Sequence, residues 1–291
     1  MIQSQFALAL LGPTSHATSV EQVGLFISGP TPIRDPRGDE MDANFAGLGF
    51  RQGEAVVVTG AANGIGREVA LLLARAGLTV SAWDIEEAAL NELVAEIEAT
   101  DGTVRGVLVD LDDQGAIDAA WDEATSMGLP IPYLVNNAGP PSTTDVSVVE
   151  GLRMSVGSYV AVTEGFLKRH AAEASSMTFT SSIAGNFFVG GTTDWYPTAK
   201  AGIAGYMRHC AVKLRGHPRS NGVAPTGVVT RRTAEAFASE EMQQRLKAQP
   251  MGRAGLADEV AAMICFLLSP AASFINGVLI PVDGASTWTH G

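Results

Sequence analysis

From Glu54 onward the apolar positions fall into short blocks that switch between two periods. Ala55-Val56-Val57-Val58 is a continuous apolar run ending in Thr59-Gly60, as a strand buried on both faces should be. Ile65, Val69, Leu72, Leu73 and Ala76 then recur at helical spacing, and Gly77 stops the helix. The same alternation predicts a second strand over Leu78–Trp83 ending at Asp84, a helix over Glu86–Thr100 and a third strand over Arg105–Val109. After a further helix, Tyr133–Val135 reads as the fourth strand, Ser176–Thr180 as the fifth and Ser220–Val223 as the sixth. Leu279–Val282 is the last. Seven strands alternating with helices predict a single α/β domain whose parallel sheet is covered by helices on both faces, with right-handed crossovers making it doubly wound.

The first fifty residues break this pattern. Gly29-Pro30, Pro32, Pro36 and Gly38 interrupt them, and no period is sustained. They read as an irregular N-terminal extension (1–50) to a dinucleotide-binding catalytic domain (51–291). A start of translation at Met41 is the simpler account of the extension; an arm packing on a neighbouring subunit is the other. The apolar run Phe6–Leu11 lacks the basic flank of a signal peptide, since no Lys or Arg precedes Arg34. No apolar stretch of about 18 residues is present, so no membrane span is expected. A net charge of -12 argues against nucleic acid or an anionic membrane as partner. Cys210 and Cys265 lie far apart in helix-like stretches, which suits free buried thiols in a reducing cytoplasm. The five histidines show no ligand spacing, and no metal is expected.

Chemistry enters at the loop Thr59-Gly60-Ala61-Ala62-Asn63-Gly64-Ile65-Gly66, between the first strand and the first helix. Glycines there allow a tight turn and close backbone approach to a pyrophosphate, and the helix N-terminus supplies free N–H groups and a positive dipole end. In that context the loop predicts a Rossmann fold and names Gly60, Asn63, Gly64, Ile65 and Gly66 as cofactor-binding. Asp84 follows about 20 residues later, where a carboxylate accepts from the ribose hydroxyls and repels a 2′-phosphate. No Arg or Lys lies in Trp83–Glu87, so NAD is expected in preference to NADP.

Three further motifs fall in register. Asn136-Asn137-Ala138-Gly139 follows the fourth strand, Ser182-Ile183-Ala184-Gly185 the fifth, and Tyr196-Pro197-Thr198-Ala199-Lys200 begins fourteen residues after Ser182. With these the chain resembles the short-chain dehydrogenase/reductase family from about residue 54 to 285. The resemblance implies catalytic roles for Ser182, Tyr196 and Lys200, adenine contacts from Asp110 and Leu111, and a cofactor lining of Asn137, Ala138, Gly139, Pro225, Val228 and Thr230 that Tyr196 and Lys200 join, the lysine at the nicotinamide ribose. It also implies that Asn136 steadies the sheet near the cofactor. Helices around Val149–His170 and Ala199–Arg215 are expected to build a homodimer or homotetramer.

The chemistry can be argued independently. Reduction of a ketone needs a proton donor at the developing alkoxide, and oxidation needs the same group as a base. A tyrosine with an ordinary pKa near 10 is a weak base at neutral pH. Lys200, one helical turn from Tyr196, is expected to lower it, and Ser182 to hold the substrate oxygen. One departure stands out. The family's helix asparagine, which holds a relay water, aligns on Met154, whose thioether donates nothing; Ser155 and Ser158 are the nearest substitutes.

The expected reaction moves a hydride between NAD(H) and a secondary alcohol or ketone. Phe187, Phe188, Val189 and Trp195, with a helical lid over 231–249 carrying Phe237, Met242 and Leu246, suggest an apolar or cyclic substrate. Arg231 and Arg232 leave a substrate carboxylate open, although paired arginines on a lid are more often just solvated. An enoyl reductase is disfavoured, because that chemistry in proteins of the family it resembles generally uses a different tyrosine spacing. A non-catalytic NAD(H)-binding sensor or scaffold is the alternative that Met154 raises.

Overall fold

The computed structural model describes residues 45–187 and 193–289; the extension as far as residue 44, Phe188, Val189, His16 and His290 lie outside them. The strands are β1 (Ala55–Thr59), β2 (Thr79–Asp84), β3 (Val104–Leu108), β4 (Tyr133–Asn136), β5 (Ser176–Thr180), β6 (Arg219–Pro225), β7 (Val228–Val229), β8 (Gly255–Leu256) and β9 (Leu279–Val282). Between them run α1 (Gly64–Arg75), α2 (Glu87–Glu98), α3 (Gln114–Thr125), α4 (Val148–Leu152), α5 (Ser158–His170), α6 (Trp195–Lys213), α7 (Ala234–Ala238), α8 (Glu240–Lys247) and α9 (Ala257–Leu268).

Seven strands form one parallel sheet in the order β3-β2-β1-β4-β5-β6-β9. Strand order reverses between β1 and β4, and a doubly wound sheet opens its binding crevice at the carboxyl ends of the strands at such a switch. The pleat divides the core in two. Val56 and Val58 join α1, α2 and α9 on one face through Leu72, Leu93, Ile264 and Leu268. Ala55 and Val57 turn to the other, where Trp121, Phe166, Phe179 and Met207 of α3, α5, β5 and α6 fill the layer.

Three features depart from the sequence reading. The predicted long helix after the fourth strand is interrupted, because Arg153–Gly157 winds as a π-helical turn between α4 and α5. The expected lid is two short helices broken at Ser239, whose hydroxyl caps α8 by accepting the Met242 N–H at 3.4 Å. A separate ladder of β7 with β8 ties the chain leaving β6 to the start of α9. Both cysteines are free and buried.

Arg219 opens β6 almost fully buried. Its guanidinium donates to the carbonyls of Leu267 (2.9 Å), Leu268 (3.1 Å), Ser269 (2.9 Å) and Ile275 (3.1 Å). It therefore closes the C-terminal end of α9, where unpaired carbonyls and the negative dipole end favour a cation.

Candidate active site

After Thr59 the chain turns through Gly60 at φ 65° and enters α1 at Gly64, φ 56°. A side chain on Gly60 would meet the Ala138 backbone at 2.8 Å. One on Gly66 would stand 2.0 Å from the Gly60 carbonyl and 2.6 Å from Asn137 Nδ2. One on Gly64 would stand 2.9 Å from the Thr230 methyl. These glycines thus keep a cradle clear where three chain segments converge. Asn137 pins it: its backbone N–H donates to Thr59 Oγ1 at 3.0 Å, and Nδ2 to the carbonyls of Thr59 and Gly60, each at 3.3 Å. Ala138 N–H reaches the same Thr59 hydroxyl at 3.2 Å. Asn136 turns away and donates to Thr163 on α5 at 3.0 Å, so the bracing of the loop falls to its neighbour Asn137.

Asp84 closes β2 with both carboxylate oxygens engaged. Oδ2 accepts the Ala62 N–H at 2.8 Å; Oδ1 accepts from Ile85 at 2.8 Å and Glu86 at 3.0 Å. No sequence motif signals this bracing. Asn63 donates to Glu86 at 2.9 Å, so two carboxylates flank the loop. Asp110 lies exposed beyond β3 and accepts the Asp112 N–H at 2.9 Å, with Leu111 half-buried beside it. Pro225 and Val228 are buried at the end of β6, Ile65 packs on the core, and Gly139 has open space above it. Thr230 turns on Thr233, whose Oγ1 accepts its N–H at 2.9 Å. A cavity of about 360 Å³ opens here, lined by Asn63, Gly64, Arg67, Thr230 and Arg231 among others.

The reacting side chains meet beyond β5. Ser182 Oγ accepts the Ala184 N–H at 3.1 Å and lies 3.5 Å from the Pro225 carbonyl. Gly185, at φ 78°, lets this loop close on α6, because a side chain there would stand 2.0 Å from the Pro197 carbonyl. Asn186 Nδ2 fastens it, donating to Ser181 Oγ at 3.0 Å and the Ser182 carbonyl at 2.9 Å. Tyr196, in the first turn of α6, is thereby brought close enough to Ser182 for that hydroxyl to act on its phenol. Lys200 follows one turn later, buried, with Nζ donating to the Thr180 carbonyl at 3.1 Å.

The electrostatics differ from the expectation. Burial raises the Tyr196 phenol, while the Ser182 hydroxyl and the charge of Arg232 pull it down. Burial likewise draws the Lys200 ammonium from 10.5 to about 8, and Arg232 adds to the effect. The net shift of Tyr196 is therefore upward, against the expectation: burial outweighs the groups that lower it, and the Lys200 ammonium is directed at a backbone carbonyl. Arg231 and Arg232 also divide: Arg231 reaches Glu92 at 3.5 Å, whereas Arg232 acts on the Tyr196–Lys200 pair.

Trp195 is not a pocket residue. It is 1 % exposed, its Nε1–H donates to the Thr144 carbonyl at 2.9 Å, and it wedges against Gly151 behind Tyr196. Leu246 is core as well, and Phe237 packs on Gly227, leaving Phe187 as the exposed aromatic among the described residues of the loop after β5. Met154 sits half-buried within the π turn. Ser158 donates to the carbonyls of Met154 (2.9 Å) and Ser155 (3.0 Å), so its hydroxyl serves the turn. Among the described residues no group of three or more His, Cys, Asp or Glu could hold a metal, and no helix is long and apolar enough to cross a membrane.

Known proteins resemble this chain over most of its length. A family model described as enoyl-(acyl carrier protein) reductase matches residues 60–287. A 3-oxoacyl-(acyl-carrier-protein) reductase of Thermotoga maritima is 33% identical over 246 residues, covering 80% of this chain and 97% of its own. A cyclohexanol dehydrogenase of an Acinetobacter species is 33% identical over 245 residues, covering 80% and 95%. The solved structure of a 7α-hydroxysteroid dehydrogenase complexed with NADH and 7-oxo glycochenodeoxycholic acid superposes with a TM-score of 0.74 at 28% identity, covering 84% of this chain and 97% of that one. The chain belongs to the short-chain dehydrogenase/reductase family.

Proposed function

We propose that this protein is an NAD-preferring oxidoreductase interconverting an apolar or cyclic secondary alcohol and its ketone. The carrying observation is the meeting of Ser182, Tyr196 and Lys200 beyond β5, beside a glycine cradle at the strand-order switch. Such a cradle fits a dinucleotide: Gly60, Gly64 and Gly66 leave room for a pyrophosphate at the start of α1, and Asp84 stands where an adenosine ribose would lie. Asp84 and Glu86 together disfavour a 2′-phosphate. Asp110, Leu111, Ala138, Gly139, Val228 and Thr230 line the remaining path.

When bound, the nicotinamide supplies the group that gives or takes the hydride. The protein's own residues handle the proton. Ser182 holds the substrate oxygen by its hydroxyl, and Tyr196 gives its phenolic proton to that oxygen in reduction or takes it in oxidation. Lys200 supplies a cation within the same turn of helix, which favours the phenolate form. The Tyr–Lys spacing supports carbonyl rather than enoyl chemistry. Exposed Phe187 favours an apolar substrate, as do the cyclohexanol and steroid relatives. Exposed Val149 and Val212, on the helices expected to pair subunits, favour self-assembly.

The test is the change in nicotinamide absorbance with NAD and NADP across a panel of cyclic secondary alcohols and ketones. Turnover with NAD that Tyr196→Phe abolishes is the expected result. Turnover surviving that substitution would overturn the mechanism. Tight NAD(H) binding without turnover on any panel member would favour the sensor reading that Met154 raises.

A further inference from the structure

α5, β5 and α6 meet at a single oxygen atom. The Thr180 carbonyl accepts from Lys200 Nζ at 3.1 Å and from the Tyr159 hydroxyl at 3.2 Å, so both of its lone pairs are engaged. Lys200 Nζ also stands 6.0 Å from the Tyr159 ring centre and 5.6 Å from that of Tyr196, at the outer range over which an aromatic face attracts a cation. Among the described residues no carboxylate pairs with Lys200. A buried ammonium without a counter-ion depends on such weaker partners for its position.

Tyr159 is 1 % exposed, and burial pushes its phenol far above the ordinary range. It therefore stays protonated, and what it offers is a fixed donor and a ring face. We propose that Tyr159 is a positioning residue: by sharing the Thr180 carbonyl with Lys200 and backing the ammonium with its ring, it fixes Nζ relative to Tyr196. Without that hydroxyl the carbonyl is held from one side only, and the ammonium can swing out of line with the phenol. The inference rests on the proposed reaction for its kinetic consequence but not for its spectroscopic one.

The groups that act on Tyr196 are Lys200 on its own helix, Ser182 beyond β5, Tyr159 on α5 and Arg232 beyond β7. The chain has four tyrosines, and Tyr133, Tyr159 and Tyr206 are pushed well above the usual range, mainly by burial. In an alkaline ultraviolet titration the Tyr196 step is the one that Tyr196→Phe removes. In Tyr159→Phe this step is expected about half a pH unit higher, because Tyr196 and Lys200 titrate as a coupled pair in which the phenolate keeps the proton on a well-placed ammonium. In the same variant kcat for alcohol oxidation should fall roughly tenfold, as expected for a misplaced catalytic group, with KM for the alcohol and the melting temperature nearly unchanged.

An unmoved tyrosinate step would overturn the proposal, as would a loss of activity that tracks a loss of thermal stability with the step in place. If the wild-type protein shows no Tyr196-dependent turnover, the proposed reaction fails; the tyrosinate step, which needs no substrate, still decides the role of Tyr159.

Discussion

The two ends of the crevice are built on opposite plans. At the cradle the polar groups find nearby partners: Asp84 takes three backbone N–H groups, Asn137 bridges two loops, and the glycines act by having no side chain. At the catalytic end a buried cation is answered by one carbonyl and two rings, and a phenol is held above its ordinary pKa. A binding surface for a rigid ligand can relax into a well-satisfied arrangement. A site that must change its protonation state keeps groups that the fold alone does not favour.

The largest effect that would break this contrast belongs to Tyr196→Phe. Turnover should fall about a thousandfold with cofactor affinity unchanged, measured by steady-state kinetics beside fluorescence titration of NADH. Next comes Gly66→Ala, whose methyl meets the Gly60 carbonyl. Overpacking of about 1–3 kcal/mol should weaken NADH binding by roughly 10–100-fold, read in the same titration.

Lys200→Met sharpens the contrast by separating stability from activity. The fall from 10.5 to about 8 corresponds to about 3 kcal/mol against the buried ammonium. The substitution should abolish turnover yet raise stability at pH 7 by about 2–3 kcal/mol, measured by urea unfolding. The sign in the wild type follows: between pH 8 and 10.5 the unfolded chain keeps the proton that the folded one has lost, so stability should climb across that window.

Asp84→Ala should lower the NAD-to-NADP ratio of kcat/KM about tenfold, the loss of a charge-assisted hydrogen bond. The smallest effect is that of Arg232→Ala. Removing this exposed charge should raise the Tyr196 and Lys200 pKa values and move the acid limb of the pH–rate profile up by a few tenths of a unit. High salt should reproduce that shift in the wild type, since an exposed charge is screened.

Much of the cradle was legible in the sequence because glycine spacing, strand and helix reflect one backbone requirement. The strands were readable for the same reason: Val56–Val58 carry their burial in their composition, as Leu279 does at the start of the last strand. What escaped were partnerships formed across the fold. Trp195 looks like a pocket residue beside Tyr196, yet the small Gly151 on α4 admits its ring to the interior. Arg231 and Arg232 are adjacent and alike, and only the turn at Thr230–Thr233 sends one to Glu92 and the other toward the site. Tyr159 carried no signal, since a buried aromatic on a helix is ordinarily core. The π turn around Met154 had none either; five residues of extra winding leave the apolar spacing almost unchanged.

The clamp formed by Arg219 has a consequence for how the molecule should come apart in acid. Arg169 with Asp122, Arg253 with Glu259 and Arg153 with Glu150 all depend on carboxylates that protonation neutralises. Arg219 is bound to four peptide oxygens, which do not titrate. As the pH falls, links of the first kind loosen in turn while the seam between β6 and α9 keeps its tie. Amide hydrogen exchange at low pH should therefore find its slowest protons there, in a remnant outlasting the shell around it.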